Sequence, residues 1–539
     1  MWRKRLFATT SGAMVSKGAT ILTALLLFRA VPTSDLGRYT AALTLVGFCA
    51  ILGNAGLNQL TTREVARLGG QEGRTWFGAL LPLRLLLALG AYALLVLVAL
   101  LVPGLVDARL ALIAGLLLLP DALAAAFSSA ITGLGRAALA SWLDALRNLI
   151  GLLATLALLF FWHAGVLALA WLLVGLAVWA LVSNMLVIAI TPDSLNDEKH
   201  STSSNVAGDG AWRLKIAARG VPPPNPPARV PPAPGRPAFV LTRADGFSGR
   251  RPLGAVLTAS LWRPALAAAL PLGLGALAAT LYFRVDTLFL SAARGWRDVA
   301  YYSAPYQIVE SFWLISTSWN AVALPMLAKR YDARLVERSI ALLVSIGLPA
   351  SLFISIRAED VARLVFGAGY LPAALPLRLV VWVVPMLFGY VPIVTALFVH
   401  EHQRQVLYIL LANLGLVIVL DALLIPPFGV LGASIATLIV EAGAFIGYLW
   451  LAHQAGLGIR FLPALWRPAL ISVPIAGVLL FGQGLPFWLL LGLAVIGWVV
   501  LFGLEWRSFG LPEPGEKKGE RDGRTAEAYP LRWLWRARA

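Results

Sequence analysis

Four basic residues, Lys17, Arg29, Arg84 and Arg284, and three acidic ones, Asp121, Glu310 and Glu441, stand inside long apolar stretches of this 539-residue chain. An ionisable side chain in such a stretch is costly to keep out of water, so it faces a polar cavity or a partner and is the first place to look for function. Cations there suit an anion: a guanidinium grips phosphate oxygens through a forked pair of hydrogen bonds, and an ammonium acts as a point charge. Counting ~1.5 Å per residue, Lys17 and Arg84 fall about 10 Å inside the inner ends of their stretches, placed to receive an anion entering from that side. Arg29 and Arg284 fall near the outer ends and are placed to hold it on the way out. The alternative for all four is snorkelling to the head-group layer. It carries equal weight for Arg29 and Arg284 and less for the deeper Lys17 and Arg84.

Carboxyl groups at mid-membrane suit a proton or a cation, and Asp121, Glu310 and Glu441 each lie eleven or twelve residues in from the outer end of their stretch. The plainer reading is a buried carboxyl hydrogen-bonded between helices. Asn54, with Asn58 and Gln59, offers amide groups to sugar hydroxyls. Asp286 beside Arg284, and Asp144 beside Arg147, read as local ion pairs. One cysteine and five histidines leave no thiolate cluster and make a histidine-built metal or haem site improbable. Paired carboxylates for sugar chemistry and a phosphate-cradling GxxxxGK loop are also absent, so the chain does not read as an enzyme, and no cofactor or metal is expected.

The elements that position these residues follow from composition. Hydrophobic side chains make up 59% of the chain and charged ones 13%, about half the roughly 25% of a soluble domain. A membrane-spanning helix needs about 20 apolar residues. Fourteen segments qualify: 11–31, 39–60, 79–103, 109–131, 147–163, 165–191, 265–290, 299–327, 338–356, 375–399, 406–425, 429–452, 468–484 and 486–504. The last two are the weakest, since the turn at Gly484, Leu485 and Pro486 can instead break one re-entrant unit. The first is read as a membrane helix rather than a signal peptide, because Lys17 and Arg29 interrupt it. The expected fold is therefore an all-α polytopic membrane protein of about fourteen transmembrane helices.

Basic residues concentrate in cytoplasmic loops. With the N-terminus inside, the cytoplasmic side holds 33 of the 44 Lys and Arg and the outer side 7, and the ratio is still 15 to 7 without the long linker and tail. Both termini are expected in the cytoplasm, in the cell membrane. The excess of 44 basic over 27 acidic residues, a net charge of +17, then serves topology and anionic lipid, and nucleic acid is not required as a partner.

Five regions result: a six-helix lobe over 1–191, a cytoplasmic linker over 192–264, a second six-helix lobe over 265–452, two additional helices over 453–504, and a cytoplasmic tail over 505–539. Residues 221–237 of the linker hold nine prolines in seventeen residues, which favours extended polyproline II and cannot pack a core. Six helices precede the linker, so the second lobe begins on the same side as the first, as a parallel repeat requires. LLLFRAVPTSDLGRYTAA (25–42) and LYFRVDTLFLSAARGWRDVAYYSAP (281–305) support the repeat, each with a Phe-Arg pair near the outer end followed by a small-residue-rich helix opening with Tyr.

The segments RAVPTSDLGRYTAALTLVGFCAILGNAGLNQLTTREVAR (29–67), FRVDTLFLSAARGWRDVAYYSAPYQIVESF (283–312), ALPMLAKRY (323–331), LVFGAGYLPAALPLRLV (364–380) and PPFGVLGASIATLIVEAGAF (426–445) carry a resemblance in their order and spacing. Together they resemble the polysaccharide transporter branch of the multidrug/oligosaccharidyl-lipid/polysaccharide flippase superfamily, over helices one to twelve. The resemblance implies two six-helix lobes around a central cavity that opens alternately to either side. It implies a flippase for polyprenyl-pyrophosphate-linked oligosaccharide, moved to the outer leaflet for cell-surface polysaccharide synthesis. Glu310 and Glu441 fit positions where such proteins often carry Glu. The proline-rich insertion departs from their shorter connection.

Membrane lipid and the lipid-linked sugar are the expected partners, with a proton or sodium gradient as the drive. A drug or cation antiporter of the same fold is the first alternative, disfavoured by the cations of helices one, three and seven. A membrane polymerase or glycosyltransferase needs larger outer loops than the stretch at 357–374. A scaffold recruited through the linker is the fourth reading.

Overall fold

The computed structural model describes residues 2–102, 104–163, 165–190, 259–482 and 484–509. The proline-rich piece at 221–237 and the tail from 510 lie outside the described residues. Helices come in the order α1 (Trp2–Ala30), α2 (Thr33–Asn54), α3 (Leu57–Leu68), α4 (Gly70–Leu101), α5 (Ala108–Gly115), α6 (Leu118–Gly133), α7 (Ala137–Phe160) and α8 (Val166–Ile190). After the linker follow α9 (Ala259–Arg294), α10 (Trp296–Lys329), α11 (Ala333–Ile356), α12 (Ala358–Phe366), a 3-10 turn (Ala368–Ala373), α13 (Ala374–Val380) and α14 (Val383–Val399). The last four are α15 (Gln403–Phe428), α16 (Val430–Gln454), α17 (Phe461–Phe481) and α18 (Phe487–Phe509). No strand occurs among the described residues, as hydrocarbon demands of a chain that must pair its backbone groups within each segment. Large apolar side chains such as Leu97, Leu153, Trp171, Ile446 and Val473 are exposed on the outer faces of these helices, where lipid replaces water as the solvent. The chain is a multi-pass membrane protein.

Among the described residues eleven helices are long and apolar enough to cross a membrane, and twelve if the pair 368–380 and 383–399, bent by 40°, is one span. The expected count of fourteen is therefore not reached on that measure. Helix α10 falls short because it carries a polar row, including Gln307, Glu310, Ser311, Thr317 and Asn320, which is affordable only where it faces protein or a wet cleft. The expected helix at 486–504 counts among the shorter apolar helices, Phe487–Gly503. The sharp bend between paired apolar helices lies at 368–399 rather than at 468–504. The stretch at 357–374, expected outside, is occupied by α12 and the 3-10 turn, and α9 begins at Ala259, within the stretch expected as linker.

The first eight helices pack mainly among themselves, α1 along α7, α2 along α4, and α6 against α3, α4 and α8. The later helices do likewise, α9 on α15, α11 on α14 and α17, and α16 on α14 and α15. The two groups meet chiefly through α2, which lies against both α9 and α10. One large core runs through this seam, with Ala41, Ala42, Leu45 and Val46 of α2 beside Val299, Ala300, Tyr302 and Ala304 of α10.

Candidate functional sites

Arg84 on α4 is 3% exposed. Its two terminal nitrogens donate to Asn58 Oδ1 at 2.6 Å and Thr61 Oγ1 at 2.5 Å, both on α3, and its Nε has no hydrogen-bond partner. No carboxylate pairs with it among the described residues. α3 is in reach because α2 breaks at Ala55 (φ 46°) and Gly56 (φ 79°), where Asn54 Oδ1 accepts the Asn58 N–H at 3.2 Å. Leu57 and Leu60 of α3 and Leu80 and Leu83 of α4 pack with Ala265 and Ala269 of α9, so the guanidinium lies beneath the seam between the two groups of helices. Lys17 is exposed on α1 and makes no hydrogen bond or ion pair with a described residue. The pairing of Lys17 with Arg84 thus rests on no contact.

Arg29 and Arg284 differ in depth. Arg29 is in the last turn of α1, and its guanidinium donates to the carbonyls of Val365, at 3.1 Å, and Leu364, both in the final turn of α12. It thereby caps a helix end across the seam, a place where cations are favoured. Arg284 lies ten residues before the end of α9, deeper than the repeat with Arg29 suggests, because α9 runs on past Asp286. It forms an ion pair with Glu310 of α10, both side chains about a third exposed, and its guanidinium stands 5.6 Å from the ring centre of Tyr306.

Asp286 does not pair with Arg284. It is 3% exposed and accepts from the Tyr302 hydroxyl and from the Thr287 N–H at 2.7 Å. The Tyr302 hydroxyl also lies 2.8 Å from Thr437 Oγ1. Asp421 on α15 is 0% exposed, and neither of its oxygens has a hydrogen-bond partner. Glu441 is 2% exposed and accepts from the Tyr282 hydroxyl at 2.9 Å and the Tyr390 hydroxyl at 3.1 Å. A buried carboxylate without a cation is costly, so such a group holds a proton or binds a cation. Asp421 was not singled out from sequence. It stands four residues from the end of the stretch expected at 406–425, where a carboxylate reads as interfacial, whereas α15 continues to Phe428.

Asp121 on α6 is ion-paired with Arg147 of α7 at 3.0 Å, and that pairing replaces the expected one between Asp144 and Arg147. Asp144 instead accepts from Ser16, whose Oγ takes a hydrogen bond from Asn148 at 2.8 Å. Asp121, Asp144 and Arg147 border a cavity of about 200 Å³ between α6, α7 and α8, shared with Ser128, Ser183 and Asn184. No group of three or more His, Cys, Asp or Glu placed to hold a metal occurs among the described residues.

The polysaccharide biosynthesis protein family model matches residues 2–206. A lipid II flippase, MurJ, in an inward closed conformation, shares the fold at a TM-score of 0.70 and 11% identity, over 93% of this chain and 99% of that one. The chain has the all-α membrane fold of this structure. A multidrug resistance transporter of the MATE family and MOP superfamily follows it at TM-scores of 0.55, inward-facing, and 0.51, outward-facing. These matches have 16% and 15% identity and cover 84% of this chain and 98% and 96% of the other. No curated protein sequence matches the chain. Family model and fold agree with the resemblance read from the sequence motifs.

Proposed function

We propose that the protein is a flippase that moves a polyprenyl-pyrophosphate-linked oligosaccharide from the cytoplasmic to the outer leaflet by alternating access. The observation that carries this reading is Arg84: a buried guanidinium with neutral partners and a spare Nε–H beneath the seam of the two helix groups. A charge so placed is compensated when the seam parts and an anion enters, and a pyrophosphate offers the oxygens that fit a guanidinium fork. The head group cannot cross hydrocarbon unaided, since each unsatisfied polar group costs several kcal/mol. The cleft supplies its partners while the prenyl tail stays in lipid. Arg284 receives the pyrophosphate next, with Glu310 releasing it, and Asn54 and Asn58 serve the sugar. Arg29, engaged on helix carbonyls, and Lys17 stand behind these two.

The lobes are residues 1–191 and 265–452, with 453–504 as the additional helices, and both termini face the cytoplasm of the cell in whose membrane the protein sits. The drive is a proton or sodium gradient acting on Asp286 and Asp421, with Glu441 as a further proton carrier and Asp121, tied to Arg147, in a lesser role. The test is translocation of a fluorescent lipid-linked oligosaccharide in proteoliposomes, and in cells the side of the membrane on which the lipid-linked sugar collects after deletion. Unchanged outer-leaflet sugar, with no second flippase present, removes the reading. The buried carboxylates of the second half also favour a cation antiporter of the same fold, which export of a hydrophobic cation from the same vesicles would reveal.

A further inference from the structure

Two glycines of the α2 region meet the other half of the molecule backbone to backbone. A methyl group on Gly37, in the first turns of α2, would lie 1.6 Å from the carbonyl oxygen of Trp296 at the start of α10. One on Gly56, at the break after α2, would lie 2.3 Å from the Ala269 carbonyl oxygen and 2.6 Å from the Gly273 nitrogen of α9. The approach is mutual, since a methyl on Gly273 would lie 2.5 Å from the carbonyl carbon of Ala55. The other glycines of α2 do not do this: Gly47 has nothing within 4 Å and Gly53 faces Ala91 and Ala88 of its own half. Gly37 and Gly56 are nineteen residues apart, about 28 Å of helix, close to the full ~30 Å of a hydrocarbon core.

Side chains reinforce each end separately. Beside Gly37, the Arg38 guanidinium lies 4.5 Å over the Trp296 ring, Ser291 donates to the Leu105 carbonyl, and Phe28 meets Phe366 and Tyr370 edge-on at 5.0 and 5.4 Å. Beside Gly56, the Trp262 indole N–H donates to the Ala79 carbonyl at 3.3 Å. There α9 also carries Pro264 and Pro271, and the second leaves the Ala267 carbonyl without its helical donor and softens the helix next to the contact.

We propose that α2 is a lever with a glycine latch at each end, Gly37 on the Trp296 carbonyl and Gly56 on Gly273, and that each latch opens or shuts its own end of the molecule. The proposal rests on the alternating-access reading above. Both latches are engaged here, so this is the state closed at both ends. Packed backbones either touch or part, with little in between, and a Cβ at either glycine removes the touching state. With the N-terminus cytoplasmic, the Gly37 latch shuts the outer face and the Gly56 latch the inner one. Gly56 itself has φ +79°, so a side chain there strains the backbone as well. Gly273, whose φ is helical, is the cleaner position to change.

Amide hydrogen exchange of the full chain in lipid nanodiscs tests this without substrate. Gly37→Ala is expected to speed exchange about tenfold or more over 33–41 and 296–304, leaving 55–60 and 265–273 at the wild-type rate, because local opening sets exchange. Gly273→Ala is expected to give the opposite pattern. Gly47→Ala and Gly275→Ala, with nothing within 4 Å of the added carbon, should change neither end. If Gly37→Ala does not fold, Arg38→Ala removes the clasp over Trp296 without adding a clash and must still speed the same segments. Loosening of both ends by either variant, or of neither, overturns the proposal. Latches that behave as described in a protein that translocates no lipid-linked sugar leave the lever standing and remove the flippase.

Discussion

Arg284 of α9 is ion-paired with Glu310 of α10, while Asp286, two residues further on, faces away from that pair and accepts the hydroxyl proton of Tyr302. Two residues on an α-helix are about 200° apart around its axis, so neighbours in sequence serve opposite faces. One face of α9 presents a partly exposed cation, and the other presents a buried carboxylate to the Tyr302 hydroxyl of α10. The pair on the first face joins α9 to α10 through side chains that are each about a third exposed.

Glu310→Gln should therefore fold normally and bind polyprenyl pyrophosphate more tightly than the wild type, because Arg284 is no longer neutralised. Arg284→Ala should weaken the same binding about tenfold, the effect of one charge-assisted hydrogen bond. Titration of the purified protein with polyprenyl pyrophosphate measures both, and equal affinities in the two variants would place the anion elsewhere.

Arg84→Met separates a structural from a functional guanidinium. Its removal relieves a buried charge that has no counter-ion among the described residues but leaves Asn58 Oδ1 and Thr61 Oγ1 without a donor, opposing effects of about 1–3 kcal/mol or more each, so the variant should still fold. Its translocation of lipid-linked sugar should fall at least about tenfold. A variant as active as the wild type shows that Arg84 is not used.

Asp421→Asn removes a carboxylate that no hydrogen bond satisfies. In buffer free of sodium the substituted protein should have the higher Tm. Sodium at about 100 times its Kd should stabilise the wild type by ~2.7 kcal/mol through preferential binding to the folded state, and the variant not at all. A sodium response that survives the substitution assigns the ion to other groups.

Tyr282→Phe and Tyr390→Phe each strip one hydrogen bond from Glu441. An acceptor left unsatisfied in a dry interior costs about 1–3 kcal/mol, which chemical denaturation should register for each. The doubly substituted protein should lose less than the sum if a proton settles on Glu441 once both donors are gone.

Much of the site inventory was legible in the sequence, since a charge in an apolar stretch is conspicuous whatever it touches. Arg84, Arg284, Glu310 and Glu441 were found that way, and each has a polar partner in the structure. Their partners were not legible. Asp286 and Asp144 sit within three residues of an arginine, yet each turns to a hydroxyl on another helix. Arg29 and Arg284 share a Phe-Arg motif, but one caps α12 and the other lies ten residues inside α9. Nothing in the sequence sets Gly37 and Gly56 apart from other small residues of a membrane helix.

The sequence by itself determined that the chain crosses a membrane many times as helices, where its basic loops lie, and which residues bring charge into the apolar interior. Those properties follow from composition along the chain, because the cost of moving a polar group into hydrocarbon depends on the group and hardly on its neighbours. Only the tertiary structure decided which charges are neutralised, which carboxylates are left without a partner, and where α2 touches α9 and α10. Pairing and close approach fall off within a few ångströms. They are set by how helices hundreds of residues apart in sequence rotate and slide against one another, and no periodicity within a single helix records that.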